Sequence, residues 1–389
     1  MRDLFWPILI LLIIAVVLRS ELFFAMLYLI VGLQLAARLW QRRGTRGLTW
    51  RRELPANAFP GERIPVSIEL HNHSLLPLPW ISIHESLPPA LHSPPMIREV
   101  ISLGAGERHT LNYTLMAQRR GYYRIGPLAL QTGDVLGIGE QSLAGEAPGE
   151  LTIYPPLPPL ADLGLPASLP FGTLAAQRRL FSDPARPAGV RPYEPADGIR
   201  RIDWKSTARA GTPQVRRHQP AIALETLVAL AFTREEYGGR FAYDVMERSL
   251  TAAASILAHL AAQRQPIGLC SSGRDPAHES TNVRLPVASG RSHLMLALGI
   301  LGRLDVGNGQ PLTDQLSEAS AGLGWGSTIV VITGQRSEEL IGDLLVLRRR
   351  GLNIALILAE PQAEELALPR RHGIPAYGIW RDGHPRLVE

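Results

Sequence analysis

Two runs without charge open the chain and limit what the N-terminus can become. Leu4 to Leu18 carries no ionisable side chain, Arg19-Ser20-Glu21 interrupts, and Leu22 to Ala37 is again charge-free. Each run falls short of the roughly 20 residues that cross a bilayer comfortably. A helical hairpin with its tip at Arg19–Glu21 fits both. Trp6 and Trp40 are placed as interface anchors, and the Arg38 head can reach water along its own stem. Arg38, Arg42, Arg43, Arg46, Arg51 and Arg52 then form a local basic excess. Such an excess beside a span marks the cytoplasmic side. The expectation is a transmembrane hairpin over residues 1–43, with both termini and every later domain in the cytoplasm. A cleaved signal peptide is the competing reading, but Arg19, Ser20 and Glu21 follow Leu18 and supply no small-x-small site.

The rest of the composition narrows the class. The formal net charge is +5, but its local excess lies beside the apolar segment, so nucleic acid is not an expected partner. Cys270 is the only cysteine, which excludes an internal disulfide and suits a reducing compartment.

Residues 48–155 read as a β-sandwich. Ile64, Val66, Ile68 and Leu70 alternate with Arg63, Pro65, Ser67 and Glu69, the period of a half-buried strand. Asn72-His73-Ser74 closes it as a turn. Short runs follow at Trp80 to Glu85, Arg98 to Leu103, Arg108 to Ala117, Tyr122 to Gln131 and Leu151 to Tyr154, separated by Pro and Gly. His71 and His73 share a strand face, but with no third ligand nearby they read as a surface pair.

Residues 156–220 read as a linker. Pro155, Pro156, Pro158, Pro159 and Pro166 predict a stiff, extended connection. It leads into a dense stretch from Arg191 to Arg209 containing Tyr193, Glu194, Pro195, Asp197, Arg200, Asp203, Trp204 and Lys205. Lys205 is the only lysine of the chain. Pro195-Ala196-Asp197-Gly198 reads as a turn, with Asp197 capping a short helix from about Ile199. Three roles compete for these residues. One is an ion-pair network in which Arg191, Arg200 and Arg209 face Glu194, Asp197 and Asp203. Another is a docking surface, since Tyr, Trp and Arg anchor interfaces. The third is an active site built on Asp197, Asp203 and Lys205, although no nucleophile–base pair stands at useful spacing.

Residues 221–389 change to strand–helix alternation, which predicts a doubly wound sheet. Strands are expected at Leu227 to Phe232, Ile267 to Cys270, Thr328 to Ile332, Leu352 to Leu358 and Ile374 to Trp380. Helices are expected at Phe241 to Gln263, Arg291 to Leu304, Pro311 to Ala321 and Ser337 to Arg350. The last has Ser337 as N-cap, acids in its first turn and arginines in its last.

The run R-x-Y-x-P-x-D-x-x-R-x-I-D-W-x-x-x-A-R, as it stands from Arg191 to Arg209, resembles the signature of the bacterial domain of unknown function 58 family. Arg120-Gly121-Tyr122-Tyr123-Arg124-Ile125-Gly126-Pro127-Leu128 resembles that family's preceding domain. The usual signature has Gly-Asp-Asp before its first Arg, whereas Ala196-Asp197-Gly198 here lacks one acid. The resemblance implies an α+β multidomain protein: a membrane anchor, a sandwich, and a degenerate von Willebrand A-like domain. It also implies a MoxR-type AAA+ ATPase as partner, and sometimes a transglutaminase-like protein. Working A-type domains hold a divalent cation on an Asp-x-Ser-x-Ser loop, with a Thr and an Asp from later loops. Here the first strand runs into Ala231-Phe232-Thr233-Arg234-Glu235-Glu236, and Thr333-Gly334-Gln335 follows a later one. Hard cations need several oxygen ligands, so neither a metal nor another cofactor is expected, and Glu235 and Glu236 read as exposed turn acids.

There is no Gly-Lys-Ser/Thr loop for nucleotide phosphates, no H-E-x-x-H, no C-x-x-C and no G-x-S-x-G. The leading expectation is a non-catalytic adaptor on the bacterial inner membrane with its soluble domains in the cytoplasm. An enzyme using the signature acids and lysine, and an envelope protein that binds polysaccharide, are the alternatives.

Overall fold

The computed structural model describes residues 5–19, 21–92, 94–133, 140–166, 182–194, 202–220, 225–238, 240–281, 283–307 and 311–380. By contact the chain divides into two units, Met1–Tyr154 and Pro155–Glu389. It is a mixed α/β protein with several sheets.

The first unit begins with two packed helices, α1 (Phe5–Leu18) and α2 (Glu21–Arg46), which reverse at Arg19. Among the described residues, α2 alone is long and apolar enough to cross a membrane. Its 26 residues rise about 39 Å. The arginines from Arg38 to Arg46 form its last turns rather than a loop after it. Arg is a good helix former and the next glycine interruption after Gly44 is Gly47, where the helix has ended.

Ten strands follow: β1 (Leu48–Glu53), β2 (Asn57–Ala58), β3 (Arg63–Asn72), β4 (Leu78–Ser86), β5 (Met96–Leu103), β6 (Arg108–Met116), β7 (Gly121–Ile125), β8 (Leu128–Gly133), β9 (Glu140–Glu146) and β10 (Gly149–Ile153). They form sheets ordered β1-β3-β6, β5-β4-β8-β9 and β2-β10-β7. The alternation read at Ile64–Leu70 is real, since every second residue of β3 is buried. Ile68, Leu70 and Leu111 of one sheet meet Ile81, Ile83, Leu128 and Leu130 of another in a shared core. The run Tyr122–Gln131 is two strands, not one, because Pro127 has no N–H to continue a ladder. Strands β1, β2 and β9 had no sequence reading.

Arg52 is not one of the juxtamembrane surface charges. Its guanidinium is buried against Glu85, with Nη1 2.7 Å from Oε1. It also donates to the carbonyls of Ile125 (3.0 Å) and Ala147 (2.6 Å). The Tyr113 hydroxyl donates to the second Glu85 oxygen. Burial, then the Glu85 carboxylate, pushes the Tyr113 phenol well above its ordinary range. The cluster joins β1, β4 and β6 across the unit.

The second unit opens differently from a stiff spacer. Leu160–Leu163 forms a 3-10 turn whose Leu160 and Leu163 are buried. A two-stranded ribbon follows, β11 (Ser182–Pro192) antiparallel to β12 (Gln214–Pro220), with α3 (Trp204–Ala210) between them. Helix α3 has Asp203 as its N-cap. Ile199 and Asp197 themselves lie outside the described residues.

The remaining elements are β13 (Thr226–Leu230), α4 (Ala242–Ala262), β14 (Ile267–Ser271), β15 (Val283–Ala288), α5 (Arg291–Arg303), α6 (Leu312–Ser320), β16 (Thr328–Thr333), α7 (Glu338–Arg349), β17 (Asn353–Ala359), α8 (Ala363–Arg371) and β18 (Ala376–Ile379). One sheet runs β15-β14-β13-β16-β17-β18. All neighbours are parallel except β15, an antiparallel edge. Strands β13, β14 and β16 are buried along their whole lengths, as a sheet covered on both faces requires. Helix α4 packs on α5 and α6 on α7. Right-handed crossovers from a central β13 put these pairs on opposite faces. The 3-10 turn is fastened to α4, where Arg248 Nη2 donates to the Asp162 carbonyl at 3.1 Å.

Candidate functional site

The signature residues gather on the ribbon. Arg191 pairs with Val215 and Pro192 with Gln214 in the β11–β12 ladder. Ile202 makes a further bridge to Val215. The turn into α3 is fixed by backbone and hydroxyl bonds. Asp203 N donates to the Gln214 carbonyl (2.7 Å). Thr207 Oγ1 donates to the Asp203 carbonyl (2.8 Å) and accepts from Gln214 N (2.9 Å). Gly211 ends the helix at φ 70°, a left-handed C-cap where glycine carries no Cβ penalty. Thr207, which staples α3 to β12, was not singled out from sequence; a hydroxyl at mid-helix gave no signal.

The stapling decides what faces solvent. Trp204, Lys205, Ala208 and Arg209 are exposed, and their i, i+4 spacing makes one outward face. Trp204 keeps 68% of its surface in water. Asp203 Oδ1 accepts from the backbone N–H groups of Lys205 (3.1 Å) and Ser206 (3.3 Å). That is a helix cap. Arg191 Nη1 lies 3.6 Å from Glu194 Oε1, with both side chains open to solvent. Of the expected ion-pair network, Arg191 and Glu194 do face each other. Tyr193 is half-buried and its N–H donates to the Pro213 carbonyl. Pro195, Asp197 and Arg200 lie outside the described residues.

A second polar cluster stands where the order of the parallel sheet reverses, at the C-terminal ends of β13 and β16. In open α/β sheets this crevice is where ligands bind. Here Glu236 occupies it. Its Oε2 accepts from Thr233 Oγ1 (2.6 Å) and Ser272 Oγ (2.9 Å). Its Oε1 accepts from Leu312 N (3.1 Å), the first amide of α6. Ser272 Oγ in turn accepts from Phe232 N at 2.8 Å. Glu236 is buried and Glu235 is exposed, so the reading of both as exposed turn acids holds only for Glu235. The loops approach closely: a Cβ on Gly334 would come within 2.6 Å of the Glu236 carbonyl oxygen and 2.7 Å of the Tyr237 ring. Tyr237 donates its hydroxyl to the Ala231 carbonyl (3.0 Å), and burial raises its phenol well above the ordinary range.

The chemistry of this cluster is that of a filled site. A carboxylate is satisfied by two hydroxyls and a helix N-terminus, which favours negative charge. Among the described residues no group of three His, Cys, Asp or Glu side chains is placed to hold a metal. Nearby, burial pushes the Cys270 thiol up to about 12, so it carries almost no thiolate at neutral pH.

The elements of the second unit define a class: a mostly parallel six-stranded sheet preceded by a ribbon that carries a surface helix. Residues 189–371 match the family described as Protein of unknown function DUF58. The match takes in the end of β11, all of α3 and the sheet as far as α8. The uncharacterized protein YeaD of Bacillus subtilis is 24% identical over 323 residues, covering 79% of this chain and 74% of that protein. Solved structures align with 27% of the chain at low similarity. One is the CARDB domain of a Pyrococcus furiosus protein in complex with di-metal ions, 15% identical over 86% of that chain, with a TM-score of 0.22. Another is the β-glucosidase of Listeria innocua in complex with gluconolactone, 17% identical over 16% of that chain, with a TM-score of 0.18.

Proposed function

We propose that this chain is a membrane-anchored, non-catalytic adaptor whose signature helix α3 docks a protein partner, a MoxR-type AAA+ ATPase. The observation that carries the reading is the outward face of α3. Exposed Trp204, Lys205 and Arg209 sit on a helix stapled to a ribbon, and Trp and Arg are the residues that most often anchor interfaces. A transglutaminase-like protein would be a further partner, and envelope assembly or stress the process served. The strand order of the second unit, with its antiparallel edge, supports a von Willebrand A-type domain. The Glu236 cluster supports a degenerate form, in which an internal carboxylate stands where the family's cation would bind. The apolar α2 followed by Arg38, Arg42, Arg43 and Arg46 supports an inner-membrane anchor with the soluble units in the cytoplasm.

The test is capture in mild detergent. The full-length chain should retain a purified MoxR-type ATPase encoded in the same genome. Trp204→Ala and Arg209→Ala should each weaken retention about tenfold or more, the loss of about 1.4 kcal/mol or more expected of an interface anchor. Their thermal transitions should stay at the wild-type value. Undiminished retention by both variants overturns the docking role of α3.

A further inference from the structure

We propose that the β3–β4 loop, residues 73–77, is a membrane-surface contact that seats Leu75 among anionic lipid headgroups beside α2. The proposal rests on the reading of α2 as a membrane span. Leu75 is 94% exposed, and no other described large apolar residue is more so. A lone surface leucine means little; its mounting and its place give this one meaning.

The loop is built to hold Leu75 out. Fully buried Asn72 donates through Nδ2 to the carbonyls of Leu76 (2.9 Å) and Gly104 (2.9 Å). Its Oδ1 accepts from Ser74 N (3.0 Å) and Ser74 Oγ (2.7 Å). The loop also runs along the end of α2. His73 N donates to the Gly47 carbonyl (2.8 Å), and a Cβ on Gly47 would stand 2.6 Å from Ser74 N. Further along, Trp40 Nε1 donates to the Pro77 carbonyl at 3.0 Å. From Ser74 to Pro77 the chain therefore passes from the level of Gly47 back to that of Trp40. That is seven helical residues, or about 10 Å, toward the apolar part of α2.

Trp40 is three residues past Ala37, the last of the charge-free run, and so stands about 4.5 Å beyond it. An indole at that level belongs to the headgroup layer, and the loop bonded to it belongs to the same layer. Arg38, Arg42, Arg43 and Arg46 are exposed on the same turns. Basic side chains so placed favour anionic over neutral lipid. The acid in the adjoining β5–β6 turn, Glu107, is engaged locally, accepting from Gly104 N at 2.6 Å.

The experiment uses the full chain in vesicles of phosphatidylcholine with phosphatidylglycerol. Leu75→Cys, Leu29→Cys and Met116→Cys each carry an environment-sensitive fluorophore, while the buried Cys270 stays unlabelled. Met116 ends β6 at the opposite end of the strand from Arg108, which pairs with His71. Lipid nitroxides quench at shallow or deep positions. The label at 29 should be quenched by the deep nitroxide, the label at 75 by the shallow one, and the label at 116 by neither. In vesicles of phosphatidylcholine alone, shallow quenching at 75 should fall while deep quenching at 29 persists. A label at 75 that behaves like the label at 116, with 29 still deep, overturns the loop contact and leaves the anchor standing. Absence of deep quenching at 29 overturns the anchor and the contact with it. Shallow quenching at 75 that is unchanged in neutral lipid overturns the preference for anionic headgroups.

Discussion

Glu236 is a single side chain whose role reversed once its neighbours were known. Glu236 lies in a sequence of turn acids, yet it is the common acceptor for Thr233, Ser272 and the first amide of α6. Glu236→Ala should leave those donors facing an emptied volume and lower stability by about 3 kcal/mol. Glu236→Gln keeps one acceptor oxygen and should lose less. Urea unfolding of the full-length protein in detergent checks both, and an unchanged Glu236→Ala transition would dismiss the closed-crevice account. Asp203 caps α3, accepting from the Lys205 and Ser206 amides. Asp203→Ala should cost about 1 kcal/mol or more, the usual effect of a lost N-cap. An unchanged transition in the same unfolding assay would dismiss the cap.

Among the elements, the join between the β14 loop and α5 carries a pH dependence. Asp275, just past β14, accepts from Arg303 Nη2 at 2.9 Å and from Arg303 Nε at 3.1 Å, as well as from Ala277 N at 3.1 Å. Burial acts to raise its carboxyl, but the Arg303 hydrogen bonds and charge, with Ala277 and His278, outweigh it and hold the group below its ordinary range. A lowered carboxyl stabilises the fold fully above the unfolded value of about 4 and loses that contribution as pH falls through the folded value. Thermal transitions should therefore drop below roughly pH 4, and Asp275→Ala should flatten that part of the profile. At neutral pH the variant leaves Arg303 without its acid and should lose about 3 kcal/mol. A wild-type acid profile retained by Asp275→Ala would refute the assignment.

Legibility in the sequence follows the same physics. Helices α4 and α7 were read almost to the residue, because a long apolar period, the Ser337 cap and the terminal charges all agree. Strands β1 and β15 and helix α8 escaped. Each is an edge or surface element whose alternation is diluted by Arg, Pro and Glu, and Pro369 inside α8 speaks against a helix. The outward face of α3 was legible as composition. Which of its residues turn inward was not, since that depends on Thr207 reaching Gln214 N across seven residues.

For the whole molecule, the directional claim is topology. The apolar α2 and the arginines of its last turns place the C-terminus in the cytoplasm on the reading proposed above. A reporter active only in the periplasm, fused after Glu389, should stay silent, and a cytoplasmic one should be active. The reverse pattern would invert the orientation and remove a cytoplasmic ATPase from the list of partners.

The reversal of strand order at β13 also sets a timetable. β13 is the first strand of its sheet to leave the ribosome, yet it lies in the middle, between β14 and β16. β13 ends at Leu230 and β16 begins at Thr328, 98 positions later (328 − 230). At translation rates of about 5–20 residues per second, one edge of a wholly buried strand stays unpaired for roughly 5–20 seconds. The N-terminal helices are synthesised long before that gap opens. If they have already entered the bilayer, each nascent chain waits for β16 tethered at a membrane face. Tethering separates exposed β13 edges on neighbouring ribosomes, so the anchor would serve the birth of the protein as well as its address.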